Sequence, residues 1–436
     1  MTTVKLNNPS TFELVSGLWK SDRLPLTMGR VLRSTNFNGD GLLDFSDVVE
    51  LEVEERHAAK RQLKDGDIII ERSGGGPKQP VGRVALFKAP DDQAYFSSNF
   101  TTTLRIRDQN SLDPEFVSLY LHALYLNGDT ETLQRATTGI RNLDWQEYLN
   151  FEIPELELQS QRAIRQLISK VRKAYLCEQN LLSVLSELKL QVMGNLFKSG
   201  LRSEKQKESE IGLVPTSWDV VQLGTLGKIG NGSTPKKTLP GYWVGGTYPW
   251  LTSAKVYDRE ITSADQFVTD TALAKCHLPR VKPGAVLMAI TGQGKTLGHC
   301  AVLTIESSVS QHVAYLQTDT SKADPSFVRG YLETQYEYLR QVASGGGSTK
   351  GALTCAFLKS LPIPLPELVE QREIVTILDA IDRKIAQHQK KESVLDELFR
   401  SLLNKLLTGE LSGDDLDRSA LSNEATQTQT EAEVQS

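Results

Sequence analysis

Residues 153–201 of this 436-residue chain return 210 positions later, without a gap, as residues 363–411. Ile153-Pro154 aligns with Ile363-Pro364, Gln161-Arg162 with Gln371-Arg372, and Ser183-Val184-Leu185 with Ser393-Val394-Leu395. Glu187-Leu188 likewise aligns with Glu397-Leu398. So many identities in one register mark an internal repeat, and a repeat restricts the chain to architectures built twice. Each copy also reads as a helix. In the first, Ile164, Leu167, Val171, Ala174, Leu181, Leu185, Leu188 and Val192 fall on a heptad seam interrupted by Glu178. In the second, Ile374, Ile377, Ile381, Leu395, Leu398 and Leu402 keep the seam, interrupted by Lys384, His388 and Lys391. Apolar residues at alternating three- and four-residue steps, almost free of Pro and Gly, argue a long amphipathic helix. Residues 161–198 as one helix would be about 57 Å long. Such a rod cannot bury its stripe in a small domain, so its expected partner is the other rod; two separate surface helices are the plainer reading. Glu178 and His388 stand at equivalent positions, where polar interruptions either fix the register of pairing or mark solvated stretches of it.

Between the rods the pattern changes. Residues 24–152 show short strand-like runs separated by Gly, Asp and Asn turns. Lys64-Asp65-Gly66-Asp67 leads into Ile68-Ile69-Ile70, a glycine loop follows at Ser73–Pro77, and the chain returns through Gly82–Phe87, which reads as strand, loop, strand. Asp113-Pro114 then opens a helix, with Asp113 as N-cap and Pro114 at the first helical position. The second half repeats the plan: Val281–Gly284 leads into Ala285–Ile290, the loop Thr291–Thr296 follows, then Gly298–Leu303, and Asp324-Pro325 echoes Asp113-Pro114. The order is globule, rod, globule, rod, tail, with a polar linker at Arg202–Glu210. A second rod can pair with the first along its length only by running back, which predicts antiparallel rods and an approximate two-fold relation between the halves.

The length allows two or three domains with real cores. The chain has no run of 18 uncharged apolar residues, so no membrane span is expected. Met1–Val15 lacks an apolar signal core, which predicts a cytoplasmic location. Cys177, Cys276, Cys300 and Cys355 show no CxxC spacing, so neither a zinc site nor a disulfide framework is expected. The net charge of −5 speaks against a nucleic-acid partner, but the distribution matters more than the sum. Residues 410–436 carry one Arg and seven acids, 24–152 carry 14 basic and 20 acidic residues, and 216–362 reverse the balance with 14 basic and 10 acidic. The tail has no aromatics and is expected to be disordered.

The most tempting catalytic motif is Ala289-Ile290-Thr291-Gly292-Gln293-Gly294-Lys295-Thr296, a loosened phosphate-loop pattern behind an apolar strand. A phosphate loop must open a helix whose first amides face the phosphates. Here Leu297–Leu303 reads as a second strand instead, so a glycine-rich loop presenting Gln293, Lys295 and Thr296 to a partner is the better reading. The six histidines form no HExxH, and no GxSxG elbow is present.

Several loops mix hydrogen-bond donors with aromatics, as a nucleic-acid interface requires: Arg and Lys neutralise phosphates, while Arg, Asn and Gln read base edges. In the first globule the candidates are Arg72, Lys78, Arg83, Asn99, Arg105, Arg107, Arg141 and Asn142. In the second they are Lys236, Lys237, Tyr242, Lys255, Gln293, Lys295, Thr296, Gln311 and Lys350. Trp250 and Phe100 lie in the same loops, where core packing is the commoner use of such side chains.

Two diverged globules alternating with two repeated rods resemble the specificity (S) subunit of type I restriction–modification enzymes. The likeness runs from about residue 11 to 411 and is most specific at Ile153-Pro154 to Gln161-Arg162, its copy at Ile363-Pro364 to Gln371-Arg372, and the closing Leu406-Leu407-Thr408-Gly409-Glu410-Leu411. Ser16–Trp19, Ser73–Arg83 and Thr138–Leu143 look like one recognition-domain type, and Gly232-Ser233-Thr234-Pro235 like another. The resemblance implies an α+β fold: two mixed α/β target-recognition domains alternating with two long helices that pair as an antiparallel coiled coil. The domains expected are a first recognition domain at 1–152, a central spacer helix at 153–202, linker and second recognition domain at 203–362, a distal spacer helix at 363–411 and an acidic tail at 412–436. It also implies sequence-specific binding of a bipartite site in double-stranded DNA, with no catalysis by this chain. Two methyltransferase (M) subunits and restriction (R) subunits would be its partners, and S-adenosylmethionine, ATP and Mg would belong to them. The acidic first globule departs from this, since its DNA face must be a local basic patch. Alternatives are a nucleotide-dependent DNA enzyme built on residues 289–296, or a coiled-coil assembly scaffold.

Overall fold

A computed structural model describes residues 2–38, 41–75, 79–137, 140–292, 295–345 and 351–411. The acidic tail, together with Lys78, Gln293 and Lys350, lies outside them. Two compact units emerge: Met1–Glu178 with Lys391–Ser436, and Gln179–Lys390. Four helices organise them: α1 (Pro114–Asn127), α2 (Leu158–Ser199), α3 (Pro325–Thr334) and α4 (Leu368–Thr408). The long α2 and α4 each supply one segment to both units.

In the first unit the central sheet is built from β1 (Phe12–Ser16), β2 (Ile68–Glu71), β4 (Val84–Leu86) and β5 (Thr101–Ile106), in the order β1-β5-β2-β4. All its pairings are antiparallel. The glycine-loop strand β3 (Ser73–Gly75) leaves this sheet and joins β6 (Gln134–Thr137) and β7 (Ile140–Leu143). Ile68, Ile70 and Leu104 of the sheet pack with Phe116, Val117 and Leu121 of α1, and with Ile164 and Ile168 of α2. Each such fully buried aliphatic side chain contributes about 2 kcal/mol.

The second unit repeats the scheme. Strands β8 (Gly227–Asn231), β10 (Ala285–Ala289), β11 (Cys300–Leu303) and β12 (Val313–Thr318) take the order β8-β12-β10-β11, again antiparallel, with Glu260–Ile261 added in parallel beside β11. Strand β9 (Tyr248–Leu251) lies in a separate three-stranded sheet. Phe327, Val328 and Tyr331 of α3 pack with Met193, Leu196 and Phe197 of α2 and with Ile374 and Leu378 of α4.

Local chemistry explains the helix starts. Asp113 accepts a hydrogen bond from the Phe116 amide, and Asp324 from the Ser326 and Phe327 amides, with Pro at the first turn of both helices. The Ile-Pro dipeptide that opens each repeat is an edge strand closing its own globule: Val4 pairs with Ile153, and Val221 with Ile363. Gly200, with φ 63°, ends α2 in the left-handed conformation that glycine favours. The stretch read as a linker is partly ordered, with Gln206–Ser209 forming a hairpin with Gly212–Pro215.

The long helices run antiparallel within each unit. In the first, Ile164 and Ile168 share a cluster with Leu402, Leu403 and Leu406, while Glu178 pairs with Lys391. In the second, Leu196 and Phe197 meet Ile374 and Leu378, while Lys189 pairs with Asp382 at 3.1 Å. The fold is therefore α+β with a helix pair, as the repeat predicts. The buried stripe differs in detail: Leu188, Ile377 and Leu398 are 45%, 38% and 44% exposed, whereas Ile168, Met193, Leu378 and Leu403 are buried. Each helix packs on a globule as well as on its partner, so the buried face is wider than a two-stranded seam and shifts around the helix.

Candidate nucleic-acid interface

The register of β7 against β3 sets Asn142 opposite Ser73 and Arg141 opposite Gly75. Two loops separated by some 65 residues of sequence thereby become one surface. Ser73 Oγ donates to Asn142 Oδ1. The Arg72 amide donates to Phe100 O at 2.8 Å, and the Leu143 amide to Arg72 O at 2.8 Å, so the turn carrying exposed Asn99 and half-exposed Phe100 adjoins the same edge. The Arg72 guanidinium lies over the Trp145 ring at 4.8 Å, a cation–π contact that fixes its direction. Arg72, Asn99, Arg141 and Asn142 are thus brought together.

Three other candidates from this half are not part of that cluster. Arg83 donates Nε and Nη2 to Glu71 at 2.8 Å each and Nη2 to Ser34 O at 2.8 Å, with Glu71 1% exposed. Arg105 grips Asp67, also 1% exposed, at 2.8 and 2.7 Å, and those bonds raise its guanidinium above the usual range. Both guanidiniums neutralise buried carboxylates, an internal task that leaves no fork for a phosphate. Arg107 donates to Pro9 O at 2.9 Å, at the end of β5 away from Phe100.

In the second unit, the loop Gly232–Lys237 is fixed from below. Ser233 Oγ donates to Cys276 O at 2.6 Å, Trp250 Nε1 to Ser233 O at 3.1 Å and Trp243 Nε1 to Lys236 O at 3.3 Å. Gly232 lies so close to Val309 that a Cβ would fall 1.6 Å from its carbonyl oxygen, so only glycine fits. Lys236 and Lys237 are exposed above this support. Tyr242 is half-buried beside Trp243 and Trp250, whose rings meet edge-on at 5.2 Å.

Val309 leads directly to exposed Gln311 and His312. The Ile290 amide donates to His312 O at 3.0 Å, and Thr291 Oγ1 bonds His312 Nδ1, which draws the second glycine loop alongside. Farther along it, Thr296 Oγ1 bonds Tyr257 Oη at 3.0 Å, and Tyr336 Oη donates to exposed Lys295 O at 2.6 Å. His299 sits between Tyr257 and Tyr336, ring centroids 4.8 and 4.7 Å away, and burial lowers its pKa. Lys255 is engaged by Asp258 at 3.0 Å and Asp265 at 3.6 Å. Strands β10 and β11 pair antiparallel, and among the described residues between them no helix opens, so the phosphate-loop reading lacks its anion-binding amides.

Sequence reasoning did not find Trp145 or His312, and it singled out the loops that hold Ser73 and Thr291 without choosing those two residues. Trp145 is 73 positions from Arg72 and carries no local signal, whereas His312, adjacent to Gln311, could have been taken with it. Among the described residues, no group of three or more His, Cys, Asp or Glu is placed to hold a metal ion, and no helix is long and apolar enough to cross a membrane.

Comparison with known proteins adds likenesses of sequence and of fold. Residues 215–397 match the profile of the type I restriction modification DNA specificity domain. The type I restriction enzyme MjaIX specificity subunit of Methanocaldococcus jannaschii is 28% identical over 212 residues, which cover 48% of this chain and 48% of that protein. The putative MjaX specificity subunit of the same organism is 23% identical over 367 residues, covering 83% and 82%. Among solved structures, the type I restriction–modification S subunit from M. genitalium superposes with a TM-score of 0.56 at 16% identity, over 93% of this chain and 95% of that one, a likeness of fold.

Proposed function

From the premise that this chain belongs to the type I restriction–modification DNA specificity subunits, we propose that it selects a bipartite double-stranded DNA target for enzymes carried by other polypeptides. The observation that carries this reading is the duplicated arrangement. Each unit gathers donor-bearing loops onto the edge of a rigid sheet, and each is fastened to the same pair of long helices. The chain reads DNA and performs no catalysis. Residues 1–152 and 203–362 are the reading domains, with 153–202 and 363–411 as spacer helices and 412–436 as the tail.

The base-reading residues on this proposal are Arg72, Asn99, Arg141 and Asn142 in one half and Gln311, Lys295 and Thr296 in the other, with Lys236 and Lys237 on phosphates. Lys78, Gln293 and Lys350 belong to the same loops by sequence. Tyr242 and Lys255 support those loops. Two methyltransferase subunits and the restriction subunits bind the complex, and S-adenosylmethionine, ATP and Mg are theirs. The complex works in the cytoplasm.

Mapping methylated bases in cells with and without this chain tests the proposal. The expected result is a split motif that disappears with the chain and changes in one half only when Arg141 and Asn142 are replaced by Ala. A methylation pattern indifferent to the chain would overturn it. The Lys295→Ala variant separates the enzyme alternative, which requires the isolated chain to hydrolyse a nucleotide and the variant to lose that activity.

A further inference from the structure

Gln311 is held more firmly than an exposed side chain requires. It stands at the tip of the turn Ser310–Val313, which the Val313 amide closes by donating to Ser310 O at 3.1 Å. Both flanks of the turn are built into sheets. On one side Val309 pairs with Leu251 of β9, and the Ser310 amide donates to Leu251 O at 2.9 Å. On the other, Val313 opens β12 opposite Ala289 of β10. Val309, Ser310 and Val313 are buried, while Gln311 and His312 are exposed. The backbone that carries Gln311 is therefore fixed, as a base-reading side chain needs.

The side chain is oriented as well. Gln311 Nε2 lies 3.3 Å from His312 Nε2. An amide nitrogen donates and does not accept, so the ring nitrogen is the acceptor of this bond and carries no proton. The proton of the ring is then on Nδ1, which donates it to Thr291 Oγ1. Thr291 is steadied in turn by its bridge to Ala352, and the next amide, of Gly292, donates to Gly351 O at 3.3 Å. Among the described residues, His312 is the one hydrogen-bond partner of the Gln311 side chain. One N–H and the oxygen Oε1 of the amide are left for a partner outside the chain.

A donor and an acceptor side by side match the major-groove edge of adenine, where N6 donates and N7 accepts. Guanine presents two acceptors there, O6 and N7, and one of them would face Oε1. Given that the chain reads DNA, we propose that Gln311 recognises an adenine in one half of the target, with His312 and Thr291 as positioning residues that turn its amide edge outward.

Methylation mapping in cells that hold the chain and its partner subunits tests this. Gln311→Ala should relax one A·T pair of the split motif, lowering the preference for adenine over guanine there by about tenfold or more, and leave the other half intact. Gln311→Arg should move the preference at that position to guanine, because a guanidinium offers two donors to O6 and N7. His312→Phe keeps a ring and removes both nitrogens. It should erode the preference at the same pair alone, whereas a merely structural role would lower methylation of the whole motif. A Gln311→Ala motif with no relaxed position, or with only a G·C pair relaxed, overturns the proposal while DNA reading by the chain stands. The absence of any motif that depends on the chain overturns both. An unchanged preference in His312→Phe removes the positioning role. Two measurements on the unaltered protein are independent of how variants fold. In the assembled complex, each adenine of the target is replaced in turn by its deaza analogue, which pairs with thymine but lacks N7. At least one replacement should weaken binding about tenfold, and indifference at every adenine overturns the proposal. Ring-nitrogen NMR should find the His312 proton on Nδ1, and a proton on Nε2 overturns the orientation of the amide.

Discussion

Gln161 Oε1 accepts the backbone amide of Asp113 at 2.8 Å, and 210 residues later Gln371 Oε1 accepts the amide of Asp324 at the same 2.8 Å. Each glutamine is fully buried. Gln161 Nε2 donates to Ser111 O at 3.0 Å and Leu156 O at 2.8 Å, while Gln371 Nε2 donates to Lys322 O at 3.3 Å and Pro366 O at 2.8 Å. One side chain at the start of each long helix thus satisfies three main-chain groups and fastens the Asp-Pro helix of its unit. Gln161/Gln371 and the carbonyls of Leu156/Pro366 keep the spacing of the sequence repeat, while the partners in the globules, Asp113/Asp324 and Ser111/Lys322, lie outside it and are one residue further apart.

Replacing Gln161 by Leu leaves those three groups buried without partners and should destabilise the first unit by about 3 kcal/mol. Gln371→Leu should do the same in the second. Denaturant unfolding followed by a probe in each unit checks this; equal effects of either variant on both units would contradict a local fastening.

Arg83 and Arg141 should separate cleanly. Arg83→Ala strands the buried Glu71 carboxylate and should cost about 3–5 kcal/mol, with the Glu71→Gln, Arg83→Met pair recovering most of it. Arg141→Ala should change stability by no more than about 0.5 kcal/mol while altering the methylated target in one half. Chemical denaturation and methylation mapping measure the two effects.

His122 makes the first unit acid-sensitive. Its folded pKa of about 4 lies below the ordinary imidazole value of 6.5, so the neutral ring favours the folded state above pH 6.5. That contribution is lost as pH falls, reaching about 3 kcal/mol by pH 4. His122→Gln, which cannot take up the proton, should flatten unfolding free energy against pH over this range. An unchanged slope would show that other groups carry the acid response.

DNA affinity of the assembled complex should fall steeply with salt, and Lys236→Ala and Lys237→Ala should each lower the slope of log K against log salt by about one without changing the target. A flat salt profile would speak against docking through phosphates.

Deleting four residues from matching positions of α2 and α4 shortens each helix by about 6 Å. The unread spacer between the two halves of the target should change by a base pair or two, read from the methylation map. A constant spacer would refute the helices as its ruler.

What the sequence disclosed follows from the range of the interactions involved. The Asp113 and Asp324 caps, the β10–β11 hairpin and the two long helices rest on neighbours within a few positions, so periodicity and turn residues revealed them. Arg83 and Arg105 looked like free cations because Glu71 and Asp67 approach them only after the sheet forms. Leu188 and Ile377 fitted a heptad seam yet are exposed, since each long helix must satisfy a globule and a partner helix together. The Arg72–Trp145 contact depends on β3 meeting β7, a pairing no local pattern announces.

The partners of Gln161 and Gln371 are all amides and carbonyls of the main chain. Main-chain groups are common to every amino acid, so the mount is blind to the identity of what it holds. A reading head can drift in composition, or be replaced outright by another ending in the same helix start, and still plug in. Diversity of targets is therefore free to accumulate at one end of each domain while its attachment stays constant.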